Sequence, residues 1–273
     1  MPSKRLLTPA LATIFLVSGQ VAMADPFRPG IKDQIDLGKR AAAQVRKEEK
    51  VLPDSDPRVK ELRRIGNKLV ALIPAAERKE KPFEYTFDVV ENKEVNAFAL
   101  PGGPIFFNTG ILEQLKTEDA LAGILAHEIT HIRNQHWASA YADNTKRQLG
   151  ITVILMLLNA GSTAFDIASV SDALLFSLPY SRKHESESDS VGYDMMVKAG
   201  YNPAGMADMF RMLIKVGGSR KNEEFMSTHP DSANRLKAVE ARIAKESRVF
   251  PKQRPRITRA VAMEWNNGWP TLK

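Results

Sequence analysis

Apolar residues recur at three- and four-residue steps along most of this chain, and alternate along only one short part of it. Residues 31–50, IKDQIDLGKRAAAQVRKEEK, carry a modest stripe at Ile31, Ile35, Leu37, Ala42 and Val45 and predict a first helix. LPDSDP is a turn. Asp56 then caps a second helix, with Pro57 at its first position, where the missing N–H costs nothing. Val59, Leu62, Ile65, Leu69, Leu72 and Ile73 give that helix one buried face, and Pro74 ends it. Tyr85, Phe87 and Val89 next alternate with Glu84, Thr86 and Asp88, the period of a half-buried strand. NAFALPGGPIFFNTG sets two short apolar runs around Pro101-Gly102-Gly103-Pro104 and predicts a hairpin. Together these pieces predict one small antiparallel sheet.

Thr117 opens the next helix as an N-cap, with Glu118 and Asp119 in the first turn, where negative charge is favoured. Further helices are predicted around 182–199, 203–216 and 232–246, with Gly200 and Pro203 as stop signals between the first two. Residues 149–178 are strongly apolar, but Asn159, Asp166 and Asp172 interrupt them, so they do not form one membrane span. They read as a buried helical hairpin or as a surface for peripheral membrane or client contact.

The N-terminus breaks the pattern. Lys4 and Arg5 precede an apolar run from Leu6 to Val17, and Ala22-Met23-Ala24 is a small-x-small cut site. This order predicts a secretory signal peptide over 1–24, cleaved after Ala24, and a single domain over 25–273. The run is shorter than the roughly 20 residues of a spanning helix. The absence of cysteine suits export to a bacterial periplasm. The net charge of +7 is spread through mixed-sign runs such as RKEEK, with no basic stripe interleaved with aromatics. A nucleic-acid partner is therefore not expected.

The chemistry begins at AGILAHEITHIRNQH, residues 122–136. His127 and His131 stand one helical turn apart, so both imidazoles face one way and suit a shared metal. Glu128, offset by one residue, reaches water at such a metal without ligating it, as a general base does. Two histidines arising by chance on an exposed helix are the bland alternative, but this pair follows a strongly apolar stretch. A third ligand is missing. Asn134 and Trp137 stand where a metzincin would have glycine and histidine. His136 points away from the pair on a continuous helix and reads as a C-terminal helix histidine. In YSRKHESESDSVG, Glu185, Asp189 and Gly192 fall at i, i+4 and i+7 on one face. Glu185 can ligate, Asp189 can accept a ligand histidine's ring N–H, and Gly192 permits close helix approach. Glu187 points to the other side. Taken alone, this triplet is a solvated acidic face; beside the histidine pair it supplies the missing group.

NAFALPGGPIFFNTGIL, LAHEITHI, YSRKHESESDSVG, AGYNP and THPDSANRL, in that order, resemble the HtpX-like and CAAX prenyl protease-type zinc metallopeptidases over residues 57–245. The likeness is to the soluble, exported bacterial branch. Ser188 stands where that family usually has alanine. The resemblance implies an α+β, zincin-like fold with a mostly helical body, a catalytic core over 57–246 and a C-terminal arm over 247–273. It implies one Zn2+ per chain and endoproteolysis of unfolded or misassembled envelope proteins. A zinc-bound chaperone or assembly factor with little or latent protease activity is the alternative. The resemblance also puts His229-Pro230 and Arg235 near the zinc. Two roles are open to His229: a fourth ligand that gates the site, or, with Arg235, a donor to the oxyanion. An edge strand of the sheet, placed at Ile105, Phe106, Phe107 and Asn108, is expected to pair with extended substrate backbone.

Overall fold

A computed structural model describes residues 25–159, 178–216 and 227–256, with the side chains of 148–159 excepted. The expected signal segment, residues 160–177 of the apolar stretch and residues 257–273 of the arm lie outside the described residues. The elements run α1 (Ile31–Glu48), α2 (Pro57–Val70), α3 (Ala75–Glu80), β1 (Thr86–Val90), β2 (Ala97–Ala99), β3 (Pro104–Asn108), α4 (Thr109–Gln114), α5 (Glu118–Arg133), α6 (His136–Asn159), α7 (Arg182–Lys198), α8 (Ala204–Val216) and α9 (Ser232–Lys245). None of the helices among the described residues is long and apolar enough to cross a membrane.

Capping chemistry sets the helix starts. The Asp56 carboxylate accepts from Arg58 N at 2.8 Å, and Thr117 Oγ1 accepts from Ala120 N at 3.1 Å, each satisfying an otherwise orphaned first-turn donor. Pro74 stops α2 and then itself precedes α3, a short helix without buried residues that the apolar pattern does not mark. Leu72, expected on the buried face of α2, lies beyond the last helical residue and is exposed.

The sheet order is β1-β3-β2. β2 and β3 form the expected antiparallel hairpin, with Ala97 opposite Phe107 and Ala99 opposite Ile105. β1 pairs parallel with β3, so the sheet is mixed rather than antiparallel. The chain reverses twice between β1 and β3, and β3 then inserts between its two predecessors in the same direction as β1. This corrects the expected substrate strand. Ile105–Asn108 belong to the central strand, their backbone is paired on both sides, and Ile105, Phe106 and Phe107 are fully buried. The hairpin turn needs its glycines: Gly103 sits at φ 138°, and a Cβ there would lie 2.1 Å from the Glu84 carbonyl oxygen. Asp88, expected on the wet face of β1, is buried, because Arg46 and Arg63 approach its two oxygens at 2.6 and 2.9 Å.

α5 is buried on every side from Asp119 to Ile132 and packs against α2, α7, α8 and β2. A helix apolar all round belongs in a core, and its small residues let neighbours approach. Gly192 of α7 meets it so closely that a Cβ would lie 3.2 Å from Ala126 C and 3.3 Å from His127 N.

The described part of the C-terminal arm lies across the start of α5. Arg254 O accepts from Glu118 N at 2.8 Å, and Arg256 N donates to Lys116 O at 3.0 Å. Asp119, fully buried, accepts from Asn202 N and Arg254 N, both at 2.7 Å. The buried Arg256 guanidinium donates to Glu61 Oε2 at 2.8 Å, to Leu115 O at 3.1 Å and to Leu112 O. Arg256→Ala should therefore lower unfolding free energy by about 2 kcal/mol, since it orphans Glu61 and two carbonyls at once. A denaturant midpoint unchanged from the parent would show that the arm is not part of the folded core.

Candidate metal centre

Four side chains from three parts of the chain converge in the interior. His127 and His131 come from α5, Glu185 from the first turn of α7, and His229 from the segment before α9. One ligand atom from each lies within 4.8 Å of all the others, and all four residues are buried. His127 Nε2 lies 2.9 Å from His131 Nε2, and His131 Nε2 lies 3.2 Å from Glu185 Oε1. His229 Nδ1 is 3.3 Å from His127 Nε2 and 3.1 Å from Glu185 Oε1.

Lone pairs crowded this closely in a buried space repel unless a cation or protons lie between them. Three imidazole nitrogens and one carboxylate oxygen are a borderline-soft donor set, and these separations suit a four-coordinate ion with bonds of about 2 Å. The residues fit a metal of the zinc type.

The facing argument for α7 places Glu185 inward, at the pair, and Asp189 one turn on. Asp189 Oδ1 lies 3.0 Å from His127 Nδ1. The buried Arg235 grips Asp189 with two parallel bonds, Nε to Oδ2 and Nη2 to Oδ1, each 2.7 Å, and donates through Nη1 to Glu185 Oε2. Its plane rests over Phe210, 4.6 Å from the ring centroid. Burial alone would raise the Asp189 carboxyl, but Arg235 and His127 hold it below the usual carboxylate range. All three Arg235 nitrogens are engaged by protein groups.

Glu128 is buried, and burial pushes its carboxyl above the usual range. Its Oε1 has no hydrogen-bond partner among the described residues, and His229 Nε2 stands 3.7 Å from it. A buried carboxylate oxygen left bare beside a ligand cluster is poised to take a proton.

His136 departs from expectation. Gln135, at φ 55°, breaks the helix, and α6 restarts at His136, swinging its ring back to His131 with Nδ1 atoms 3.0 Å apart. Burial, with His184 second, pushes the His136 pKa down to about 4. Glu187, as expected, lies outside the four-residue group and is exposed; its Oε2 is 3.4 Å from His136 Nε2. Sequence reasoning also passed over Tyr180, whose ring stacks on His131 at 3.9 Å and whose N–H donates to Thr228 O at 3.1 Å. The signal for it was its place one residue before Ser181, the N-cap of α7.

The description of peptidase family M48 matches residues 57–243, more than half of the chain. The chain belongs to peptidase family M48. Over 217 residues, 76% of this chain, it is 30% identical to the mitochondrial metalloendopeptidase OMA1 of Schizosaccharomyces pombe, covering 61% of that protein. It is 31% identical over 166 residues, 60% of this chain, to the OMA1 of Arabidopsis thaliana, covering 33% of it. It is 26% identical over 195 residues, 66% of this chain, to the beta-barrel assembly-enhancing protease of Escherichia coli K12, covering 39% of it. This M48 chain thus spans less than two thirds of the length of each of these relatives.

The Asp189–Arg235 pair gives a test that needs no metal. Asp189→Ala strips a buried guanidinium of its bidentate partner and should cost the metal-free protein about 3 kcal/mol. Chemical denaturation of the two apo proteins checks it; a loss below about 0.5 kcal/mol would mean that Arg235 finds water there, and that the pair is not sealed.

Proposed function

We propose that this M48 chain is a zinc-dependent endopeptidase of the bacterial cell envelope, acting on unfolded or misassembled envelope proteins. The observation that carries the activity is the buried convergence of His127, His131 and Glu185, with the bare Glu128 carboxylate beside them. The compartment and the substrates rest on less: the signal-like residues 1–24, and relatives that include the beta-barrel assembly-enhancing protease.

In this reading His127, His131 and Glu185 hold one zinc ion per chain. When bound, zinc supplies Lewis acidity, which acidifies water and polarises a peptide carbonyl. Glu128 accepts the attacking water's proton on its bare Oε1 and later delivers it to the leaving amine. Asp189 accepts from His127 Nδ1 and fixes that ring's tautomer. Arg235, engaged on all three nitrogens, holds Glu185 and Asp189 in place rather than donating to an oxyanion. With β3 enclosed, extended substrate backbone pairs at the edge strand β2, which packs on α5.

The experiment is a casein cleavage assay on the full chain with a chelator control. The parent should cleave, and chelation should stop it. Glu128→Gln should retain one zinc per chain while cleavage falls by ~10²–10⁴. A Glu128→Gln protein that cleaves like the parent removes Glu128 from the role of base.

One observation favours a second, latent reading. His229 sits among the ligand atoms, and a catalytic zinc must keep one position open. His229 as fourth ligand closes the site, and the chain then holds clients more than it cuts them. His229→Ala should raise casein cleavage several-fold without loss of zinc. A fall in cleavage instead would make His229 a donor to the reaction and end the gate reading.

A further inference from the structure

His131 approaches the shared centre through Nε2, 2.9 Å from His127 Nε2 and 3.2 Å from Glu185 Oε1. A ligating nitrogen must offer a lone pair, so the proton of a neutral ring sits on the other nitrogen, Nδ1. That atom points out of the centre, at His136 Nδ1, 3.0 Å away. Two ring nitrogens at this distance share one hydrogen. With His131 fixed as the donor, His136 Nδ1 is the acceptor, and its own proton sits on Nε2.

The surroundings of His136 suit that assignment. Glu187 Oε2 lies 3.4 Å from Nε2. It stands off the line of a hydrogen bond, so Nε2 has no hydrogen-bond partner among the described residues. The carboxylate nonetheless favours a proton on the nitrogen it faces. Its other oxygen accepts from Asn134 Nδ2 at 2.6 Å and so is held in place. The His184 ring lies nearly parallel to His136, 14° off with centroids 4.5 Å apart, and fixes its plane. Ser188 Oγ is 3.2 Å from the same Nδ1 and competes for the single lone pair there.

We propose that His136 is a positioning residue that sets the tautomer and ring orientation of His131 through one Nδ1–H···Nδ1 hydrogen bond, with Glu187 biasing His136 toward the accepting form. His136 touches no reacting group. It acts by keeping the His131 Nε2 lone pair aimed inward, and Asp189 does the same for His127. The inference rests on the proposed role of His131 as a zinc ligand. Losing such an outer partner typically weakens metal binding by ~10–100-fold.

The test uses the full chain and two readouts besides activity. Zinc affinity is measured by competition with a chromophoric chelator, and imidazole ¹⁵N NMR on the zinc-loaded protein reports which ring nitrogen of His131 and of His136 carries the proton. The zinc-loaded parent should show His131 protonated at Nδ1 and His136 at Nε2. His136→Phe, which keeps a ring against His184 but removes the acceptor, should weaken zinc ~10–100-fold. His136→Asn, whose amide oxygen falls near the position of Nδ1, should recover most of that loss. Ser188→Ala, which removes the competing donor, should leave zinc binding unchanged or tighter. A His136 protonated at Nδ1 in the zinc-loaded parent overturns the proposal without any variant. So does equal zinc affinity in His136→Phe, or a failure of His136→Asn to recover it, which would assign the loss to packing. A parent chain that binds no zinc defeats the ligand reading instead.

Discussion

The crossing of α5 and α7 at Gly192 sets the distance between the two halves of the metal-binding group. α5 carries both histidines proposed as ligands and Glu128, while α7 carries Glu185 and Asp189. Any side chain at Gly192 would press on the Ala126 carbonyl and the His127 amide, and would move Glu185 away from the ring nitrogens by tenths of an ångström. Ligand geometry tolerates little such movement, because bond lengths to a small cation vary by only about 0.2 Å. The core around α5 therefore does more than exclude water. Its close packing transmits the position of one helix to the other, as a packed interior does.

Burying this much charge needs internal compensation. Glu185, Asp189, Glu128 and Arg235 all lie out of water, and the one guanidinium serves two of the carboxylates while stacking on Phe210. The arrangement spends nearly every hydrogen-bonding atom on its neighbours. Glu128 Oε1 has no hydrogen-bond partner among the described residues, which suits the base proposed for it. α9 reaches the centre through Arg235 and the adjoining His229 segment.

Much of this was legible in the sequence. The three- and four-residue periodicity located the helices, and the i, i+4 spacing of His127 and His131, with Glu185 and Asp189 on one face, anticipated which side chains the structure brings together. These are local properties of helices, and one helix's geometry suffices to infer them. What was not legible depends on distant parts of the chain or on a break in regularity. His136 was expected to face away because five helical steps turn a side chain through most of a half-circle, but a left-handed residue at Gln135 restarts the helix. The burial of Asp88 depends on arginines 42 and 25 residues before it. The insertion of β3 between β1 and β2 leaves no local trace, which is why the paired central strand was taken for an open edge.

The strap over residues 251–256 has a consequence for the order of assembly. It closes hydrogen bonds onto the start of α5 from 135 positions further along the chain. A polypeptide delivered from its N-terminus, whether by a ribosome or through a narrow pore, presents the histidine helix long before the segment that seals that helix's entrance. Until the strap arrives, Asp119 must find other partners or stay hydrated, and the first turn of α5 stays frayed. Closure between such distant segments is also slow. The capped start of α5 is thus completed late by construction, after the histidine pair and the carboxylates of α7 have already been delivered.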